Sequence, residues 1–383
     1  MDNRVVKYIC YYNGSQTIKR NCVPSAVNKI DYIVTSIAKL GYDVEIVSVS
    51  QVLEPKLKYY KSETETVRDG VTVRYFSSIG GAGLIIKILR SIWQYVNLFW
   101  YLLFKVNKRD LIIAYHSLGY RSAFVLAKKI KGFKLIYEVE EVYSDVIKQK
   151  FLNPRKMEMR MIAAADAYIF PTEMLNKTFN TANKPYIIIY GSYQYVETPR
   201  DKFKDDKIHI VYAGTFDPRK GGAAAAAAAA AYLPQNYHMH ICGFGSDDDV
   251  KKIVSVIENV SKISQACITY EGLKLGKEYA DFIQKCDIGL STQDPTAKFN
   301  NTSFPSKILS YMSNGLSVVS IEIEAIKCSL LSKHINFYEI QDAQHIADAI
   351  IKTIPDNNNV ELIKSLDLKF KTDLQDLLNL WNR

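Results

Sequence analysis

The chain's 383 residues exceed the usual single-domain size and imply two domains of a little under two hundred residues each. Six cysteines, at 10, 22, 242, 267, 286 and 328, show no CxxC or other ligand spacing; their apolar surroundings suit buried reduced thiols in a reducing cytoplasm. The net charge of +9 divides into +12 over residues 1–200 and −3 over 201–383, which points the first half toward an anionic surface or acceptor, while the absence of any RNA-binding signature argues against nucleic acid.

In chain order, Val5 to Tyr12 reads as a strand rather than the charged head and apolar run of a signal peptide. The turn Tyr12-Asn13-Gly14-Ser15-Gln16 follows it. A helix over Ser25 to Leu40, a strand over Asp43 to Val49 and a charged excursion to Phe76 come next.

Leu84 to Lys108 carries Trp93, Tyr95, Trp100, Tyr101 and Phe104 beside Lys87, Arg90, Lys105 and Lys108. Only the fourteen residues Ser91 to Phe104 are free of charge. That is short of the roughly 20 needed to cross a bilayer, whereas helices lying in the interface carry this mixture. Two readings stay open: peripheral membrane contact, and a long core helix with snorkelling cations.

Further strands are expected at Leu111 to Tyr115, Lys134 to Glu138, Ala167 to Phe170 and Tyr186 to Tyr190, separated by helices, which predicts a doubly wound α/β domain. Charged Pro199 to Asp206 reads as a linker, and the pattern repeats from Ile208 to about Ile354. Ala223 to Ala231 has high helix propensity, and 357–383 predicts one or two amphipathic helices.

Three strand-to-helix loops of the second half gather glycine, hydroxyl and cationic groups, as phosphate sites do. The first runs from Ile208 to Ala213 through Gly214 into Asp217-Pro218-Arg219-Lys220-Gly221-Gly222. The second is His240-Ile241-Cys242-Gly243-Phe244-Gly245-Ser246. In the third, Asn301, Thr302, Ser303 and Ser306 offer caps, Pro305 suits a first helical turn, and Lys307 adds a cation. Gly315 then ends the helix before a buried strand, Leu316 to Ser320. Asp247-Asp248-Asp249 reads as helix capping, so no metal or other cofactor is expected.

These motifs, VYAGTFDPRKGG, HICGFG and FPSKILSYMSNGLSVVS, in this order and spacing, resemble the GT-B glycosyltransferases of family 4, which build bacterial capsule and other cell-surface glycans. The resemblance covers nearly the whole chain. It implies two Rossmann-like α/β domains facing a central cleft: an acceptor domain over 1–200, a nucleotide-sugar domain over 201–356, and a tail over 357–383 crossing back to the first. The implied donor contacts are Gly14, Ser15, Thr215, Gly243, Phe244, Ser303, Phe304, Pro305, Ser306, Lys307 and Ser310. Most members carry two glutamates separated by seven residues on the donor helix. Here Thr302 and Ser310 occupy those places, which leaves a weaker hydroxyl contact and no charge.

Among acid or base candidates, Glu140 stands where the family often has histidine, and Glu141 adjoins it; both are expected to bind hydroxyls or assist deprotonation. Glu138 has the alternative of a structural partner. His116 is a candidate for acceptor or sugar contact, or a satisfied histidine at a strand end. Lys220 and Arg219, with Lys307, are expected to stabilise the departing phosphate.

The resemblance thus implies a retaining, metal-independent transfer from a nucleotide-sugar, UDP-sugar being preferred, to a lipid-linked saccharide. It would act in the cytoplasm at the inner face of the membrane, with association between copies left open. The alternatives are a sugar-nucleotide epimerase and a catalytically idle nucleotide-binding partner of another transferase.

Overall fold

The computed structural model describes residues 5–14, 17–117, 119–141, 154–197, 201–217, 222–295, 300, 302–356 and 359–381. Its contacts divide the chain into two compact units, Met1–Ser192 with Lys369–Arg383, and Tyr193–Leu368.

In the first unit, short apolar runs fold as strands buried on both faces, the pattern of a parallel sheet. The strands are β1 (Val5–Cys10), β2 (Asp43–Ser48), β3 (Tyr59–Tyr60), β4 (Glu63–Arg68), β5 (Val71–Tyr75), β6 (Ser78–Ile79), β7 (Leu111–Tyr115), β8 (Lys134–Glu138), β9 (Ala167–Phe170) and β10 (Tyr186–Ile188). The main sheet has the order β10-β9-β8-β7-β1-β2-β5-β4. Its described pairings are parallel except β4 with β5, while β3 and β6 form a separate antiparallel pair.

The crossover helices are α1 (Pro24–Lys39), α2 (Leu84–Phe104), α3 (Arg121–Lys131), α4 (Pro154–Ala164) and α5 (Glu173–Phe179). α1 shows how sequence fixes such a helix: proline opens it, and Ile30, Ile33, Val34 and Ile37 recur at helical spacing and are fully buried.

The charged excursion before Phe76 is a hairpin. Its outer strand β4 is mostly exposed, and Asp69-Gly70 makes the turn, with Gly70 at φ +70°. α2 also departs from a simple core helix. Arg90, expected among the flanking cations, is 5% exposed and donates to the carbonyls of Ile79 and Gly81 at 2.7 and 2.6 Å.

The second unit holds β11 (Ile208–Thr215), β12 (Tyr237–Phe244), β13 (Cys267–Gly272), β14 (Ile288–Ser291), β15 (Ser317–Ile321) and β16 (Ile335–Tyr338). They form one parallel sheet in the order β13-β12-β11-β14-β15-β16. Its helices are α6 (Ala223–Ala229), α7 (Asp247–Ser261), α8 (Gly276–Ile283), α9 (Ser306–Ser313), α10 (Glu324–Lys327) and α11 (Ala343–Lys352). The strand order reverses direction at β11, so the crevice between β11 and β14 is the topological switch point, where ligands of such sheets bind outside the carboxyl ends.

The tail is a single helix, α12 (Asn359–Asn379), whose residues from Lys369 belong to the first unit. There Phe370 packs on Tyr32 with ring centroids 5.5 Å apart, and Asn379 accepts from the Tyr42 hydroxyl at 3.0 Å.

Packing at the switch point depends on one close approach. A Cβ at Gly289 of β14 would run into the ring of Tyr311 on α9, so glycine lets that ring lie against the strand. The Tyr311 hydroxyl accepts from Ala213 N–H at 2.9 Å and lies 3.5 Å from the Leu290 carbonyl. β11 and β14 are registered only at Ile210 and Val211, so this hydroxyl takes a donor that the parting strands leave unpaired. Gly289→Ala is expected to lower stability by about 1–3 kcal/mol through overpacking, measured by urea unfolding. Unchanged stability would show that Tyr311 can move aside freely.

Candidate functional site

In the second unit, β11 ends at Gly214 and Thr215, in register with Gly243 and Phe244 of β12. Phe216 N–H donates to the Phe244 carbonyl at 2.7 Å, and the Thr215 hydroxyl accepts from Asp217 N–H at 3.1 Å. A side chain at Gly243 would strike the Gly214 carbonyl and the Phe216 ring, so the two backbones touch where the strands end. Gly222 and Thr292, which follow β11 and β14 in the chain, are joined by Gly222 N–H to the Thr292 carbonyl at 3.2 Å and the Thr292 hydroxyl to the Gly222 carbonyl at 3.0 Å.

α9 begins beside this surface. Pro305 occupies its N-cap position and supplies no side-chain cap, and Ser306 is the first helical residue. The expectation placed Pro305 within the first turn; the helix starts one residue later. Phe304 is buried and anchors the approach, while Ser303 and Pro305 are partly buried.

Lys307, one helical turn before Tyr311, shares its face. Its Nζ lies 3.9 Å from the centroid of the Tyr212 ring. A Cβ at Gly214 would come within 2.5 Å of Lys307 Cε and Nζ, so that glycine gives the lysine its room. Burial of this ammonium lowers its pKa from the ordinary 10.5 to about 7. A poorly solvated amine beside a helix N-terminus is a ready partner for a phosphate-like anion.

Ser310 is engaged otherwise, its hydroxyl 3.0 Å from that of Tyr279 on α8. Asp247–Asp249 cap α7 as expected: Ser246 is the N-cap and exchanges bonds with Asp249 in a capping box. Arg219 and Lys220 lie outside the described residues, as do Pro218 and Gly221.

The first unit gathers its own charged group near the carboxyl end of β8. Glu138 is fully buried and bonded to the Tyr8 hydroxyl. Lys29 of α1 reaches Glu140 at 2.5 Å and Glu138 at 3.4 Å. Burial pushes the Glu138 carboxyl up; the Lys29 charge opposes this and Glu140 reinforces it. For Lys29 burial works against the charge, but the Glu140 and Glu138 carboxylates outweigh it and the pKa is raised. Glu140 is therefore held by a cation, and Glu138 has the structural partner its strand position allowed.

Glu141 is partly buried beside them. His116 is 2% exposed, with Nε2 3.0 Å from Glu158 Oε1 and its ring edge-on to Tyr137. Gly14 N–H donates to the Tyr75 hydroxyl at 2.9 Å, and Ser15 lies outside the described residues.

Sequence reasoning missed Lys29, although a lysine in line with Ile33 and Ile37 on the apolar face of α1 was a readable signal. It also missed a histidine group in the second unit, His209, His238 and His240, whose ligand atoms lie within 4.8 Å of one another. The His-x-His of β12 was visible, but only the register with β11 brings His209 to it.

Residues 207–356 match the family model described as Glycosyl transferases group 1. Over this segment, less than half of the chain, the sequence is similar to that family. No curated protein matches the chain in sequence. Solved structures do match in fold: one from E. coli, described as trehalose-6-phosphate bound with UDP-2-fluoro glucose, is 10% identical with a TM-score of 0.67 over 98% of this chain and 99% of that one. Anabaena Alr3699/HepE in complex with UDP is 12% identical, TM-score 0.62, over 98% of both chains. The pneumococcal O-GlcNAc transferase GtfA in complex with UDP and GlcNAc is 9% identical, TM-score 0.64, over the whole of both. The expected α/β fold with parallel-sheet, Rossmann-like units is thus the one observed, and these structures share it.

Lys307 also sets a pH dependence. Its folded pKa is below the ordinary value, so between about pH 7 and 10.5 the unfolded chain binds the extra proton, and its contribution to stability rises with pH across that window. Urea unfolding at pH 7 and pH 9 is expected to show a smaller alkaline gain in Lys307→Met than in the wild type. Equal gains in both would refute the depressed pKa.

Proposed function

We propose that the chain is a retaining glycosyltransferase. It moves a sugar from a nucleotide-sugar donor, a UDP-sugar, to a hydroxyl of a lipid-linked saccharide in cell-surface polysaccharide synthesis. The observation that carries the reading is Lys307, fitted against Gly214 at the switch point beside the uncapped start of α9. The matched glycosyltransferase segment contains both, and UDP occurs in the Anabaena and pneumococcal structures of the same fold.

On this reading the diphosphate meets the N–H groups of α9 and the Lys307 ammonium, which stabilise charge on the leaving group without a metal ion. Arg219 and Lys220 are assigned the same task from the sequence. Glu140 and Glu141 are assigned to hydroxyl binding in the first unit, where Lys29 keeps Glu140 paired. Thr215, Gly243, Phe244 and Ser303 to Ser306 line the donor side, and the acceptor oxygen attacks from the face the phosphate leaves.

The test begins with thermal shifts against UDP-, GDP-, ADP- and TDP-sugars with and without Mg²⁺, since a ligand bound to the folded state raises its apparent stability. A metal-independent shift with one nucleotide is expected, and transfer to a lipid-linked acceptor should then fall by about 10²–10³-fold in Lys307→Met. Binding without turnover would move the assignment to an idle nucleotide-binding partner, and donor conversion without acceptor to an epimerase.

Membrane association rests on α2. Ile85, Ile88, Ile92, Trp100 and Phe104 recur along it at helical spacing and are exposed, Ile85 by 73% and Phe104 by 69%. Arg90, Gln94, Leu98 and Leu102 are the buried side. No helix among the described residues is long and apolar enough to cross a membrane. An apolar stripe of this kind suits a helix lying in the interface. Ile88→Ser with Trp100→Ser and Phe104→Ser is expected to reduce sedimentation with anionic vesicles while leaving the nucleotide thermal shift unchanged. Full vesicle binding by the triple variant would exclude this helix as the contact.

A further inference from the structure

The histidine group lies toward the amino end of the second sheet. His238 and His240 are two apart on β12 and so face one side, and His209 on β11 is in register with His238. His209 and Gly214 are five positions apart along β11, roughly 17 Å at about 3.3 Å per residue, so the group is distinct from the phosphate-type surface.

His209 Nδ1 and His240 Nε2 face each other at 2.9 Å. The other nitrogen of each ring meets a carboxylate: His209 Nε2 lies 2.7 Å from Asp205 Oδ1, and His240 Nδ1 lies 2.8 Å from Glu271 Oε1. An ionised carboxylate only accepts, so both outward nitrogens are the donors. With the outward nitrogens donating, the inward nitrogens turn lone pairs toward each other, an arrangement that a cation between them resolves. His238 supplies a third nitrogen within the same 4.8 Å, while its Nε2 lies 3.1 Å from the Thr269 hydroxyl.

We infer that His209, His238 and His240 form a binding site for a divalent transition-metal ion of the zinc class, with Asp205 and Glu271 orienting the ligating rings. Imidazole ligands suit zinc, copper or nickel rather than magnesium or calcium, and three histidines leave a fourth position for water. Metal-ligating histidines ordinarily donate their second N–H to a carboxylate, which is the arrangement of both outer nitrogens here.

Glu271 owes its place to a bulge: the register of β12 with β13 passes from Ile241 opposite Tyr270 to Cys242 opposite Gly272, leaving Glu271 as the extra residue. Phe203 stacks on His209 with centroids 4.2 Å apart, and Phe282 meets His240 edge-on at 5.3 Å, which gives the site an apolar wall. His209 and His240 are each 3% exposed, whereas His238 is only partly buried and opens the way in. The ion would fasten β11 and β12, and through Glu271 β13, at the end of the sheet away from Lys307.

The test uses the full untagged chain, stripped with a chelator and loaded with Zn²⁺ or Co²⁺. Bound metal is measured by elemental mass spectrometry and by the visible absorption of Co²⁺. About one ion per chain is expected, with Co²⁺ bands of a low-coordinate site. His238→Gln, at the partly exposed position, should reduce bound metal to background while keeping the wild-type circular dichroism. Glu271→Gln should retain the ion with an affinity lower by about 10–100-fold. No metal in the wild type, as from a proton shared by the facing rings, would overturn the inference, and so would equal metal in the wild type and His238→Gln.

Discussion

The second unit is organised around the place where β11 and β14 part. A parallel sheet that reverses its winding at one strand leaves backbone groups there without a neighbour, and each must be satisfied or wetted. The chain fills the gap with a side chain: Tyr311 lies over Gly289, and its hydroxyl takes the Ala213 N–H. That contact fixes the depth of α9 against the sheet. Lys307 is one turn earlier on the same face, so the glycine at 289 indirectly sets how close a cation comes to the end of β11.

Two further absences of a side chain complete this geometry. Gly214 leaves room for Lys307 Cε and Nζ, and Gly243 lets the backbone of β12 touch that of β11. The lysine thereby loses water without gaining a carboxylate among its described contacts, and burial lowers its pKa to about 7. A surface lysine would attract phosphate as a solvated point charge. A desolvated one attracts it more strongly and releases less water, so space around Lys307 matters to anion binding as much as charge does.

Much of this was legible in the sequence because the signals were local. Leu111–Tyr115, Lys134–Glu138 and Ala167–Phe170 lie at the expected bounds, since a short apolar run between helices leaves little choice of register. The β4–β5 hairpin was not read because Glu63–Arg68 is an edge strand with solvent along nearly its whole length, and no apolar alternation marks it. Arg90 was misplaced for a related reason: it belongs to the charged residues of α2 by composition, but carbonyls at Ile79 and Gly81 draw it inward. The Lys29 to Glu140 pair and the histidine trio need contacts between distant segments, which spacing along one strand or helix does not encode.

The two ends of the second sheet consequently carry opposite chemistry. At the carboxyl ends of β11 and β12, glycines and a helix start offer N–H groups and Lys307 adds a cation, which together favour an anion. Toward the amino ends, three imidazoles are backed by two carboxylates, which together favour a cation. Strand alternation makes this separation inexpensive: His238 and His240 share a face by being two residues apart, and the same strand reaches Gly243 only beyond them. Changes at one end therefore need not disturb the other, since roughly 17 Å of hydrogen-bonded strand stands between them. The sheet is stiff enough to hold both sites, and the register of β11 with β12 is the feature they share, because a slip of one residue would remove His209 from His238 and Gly214 from Gly243 together.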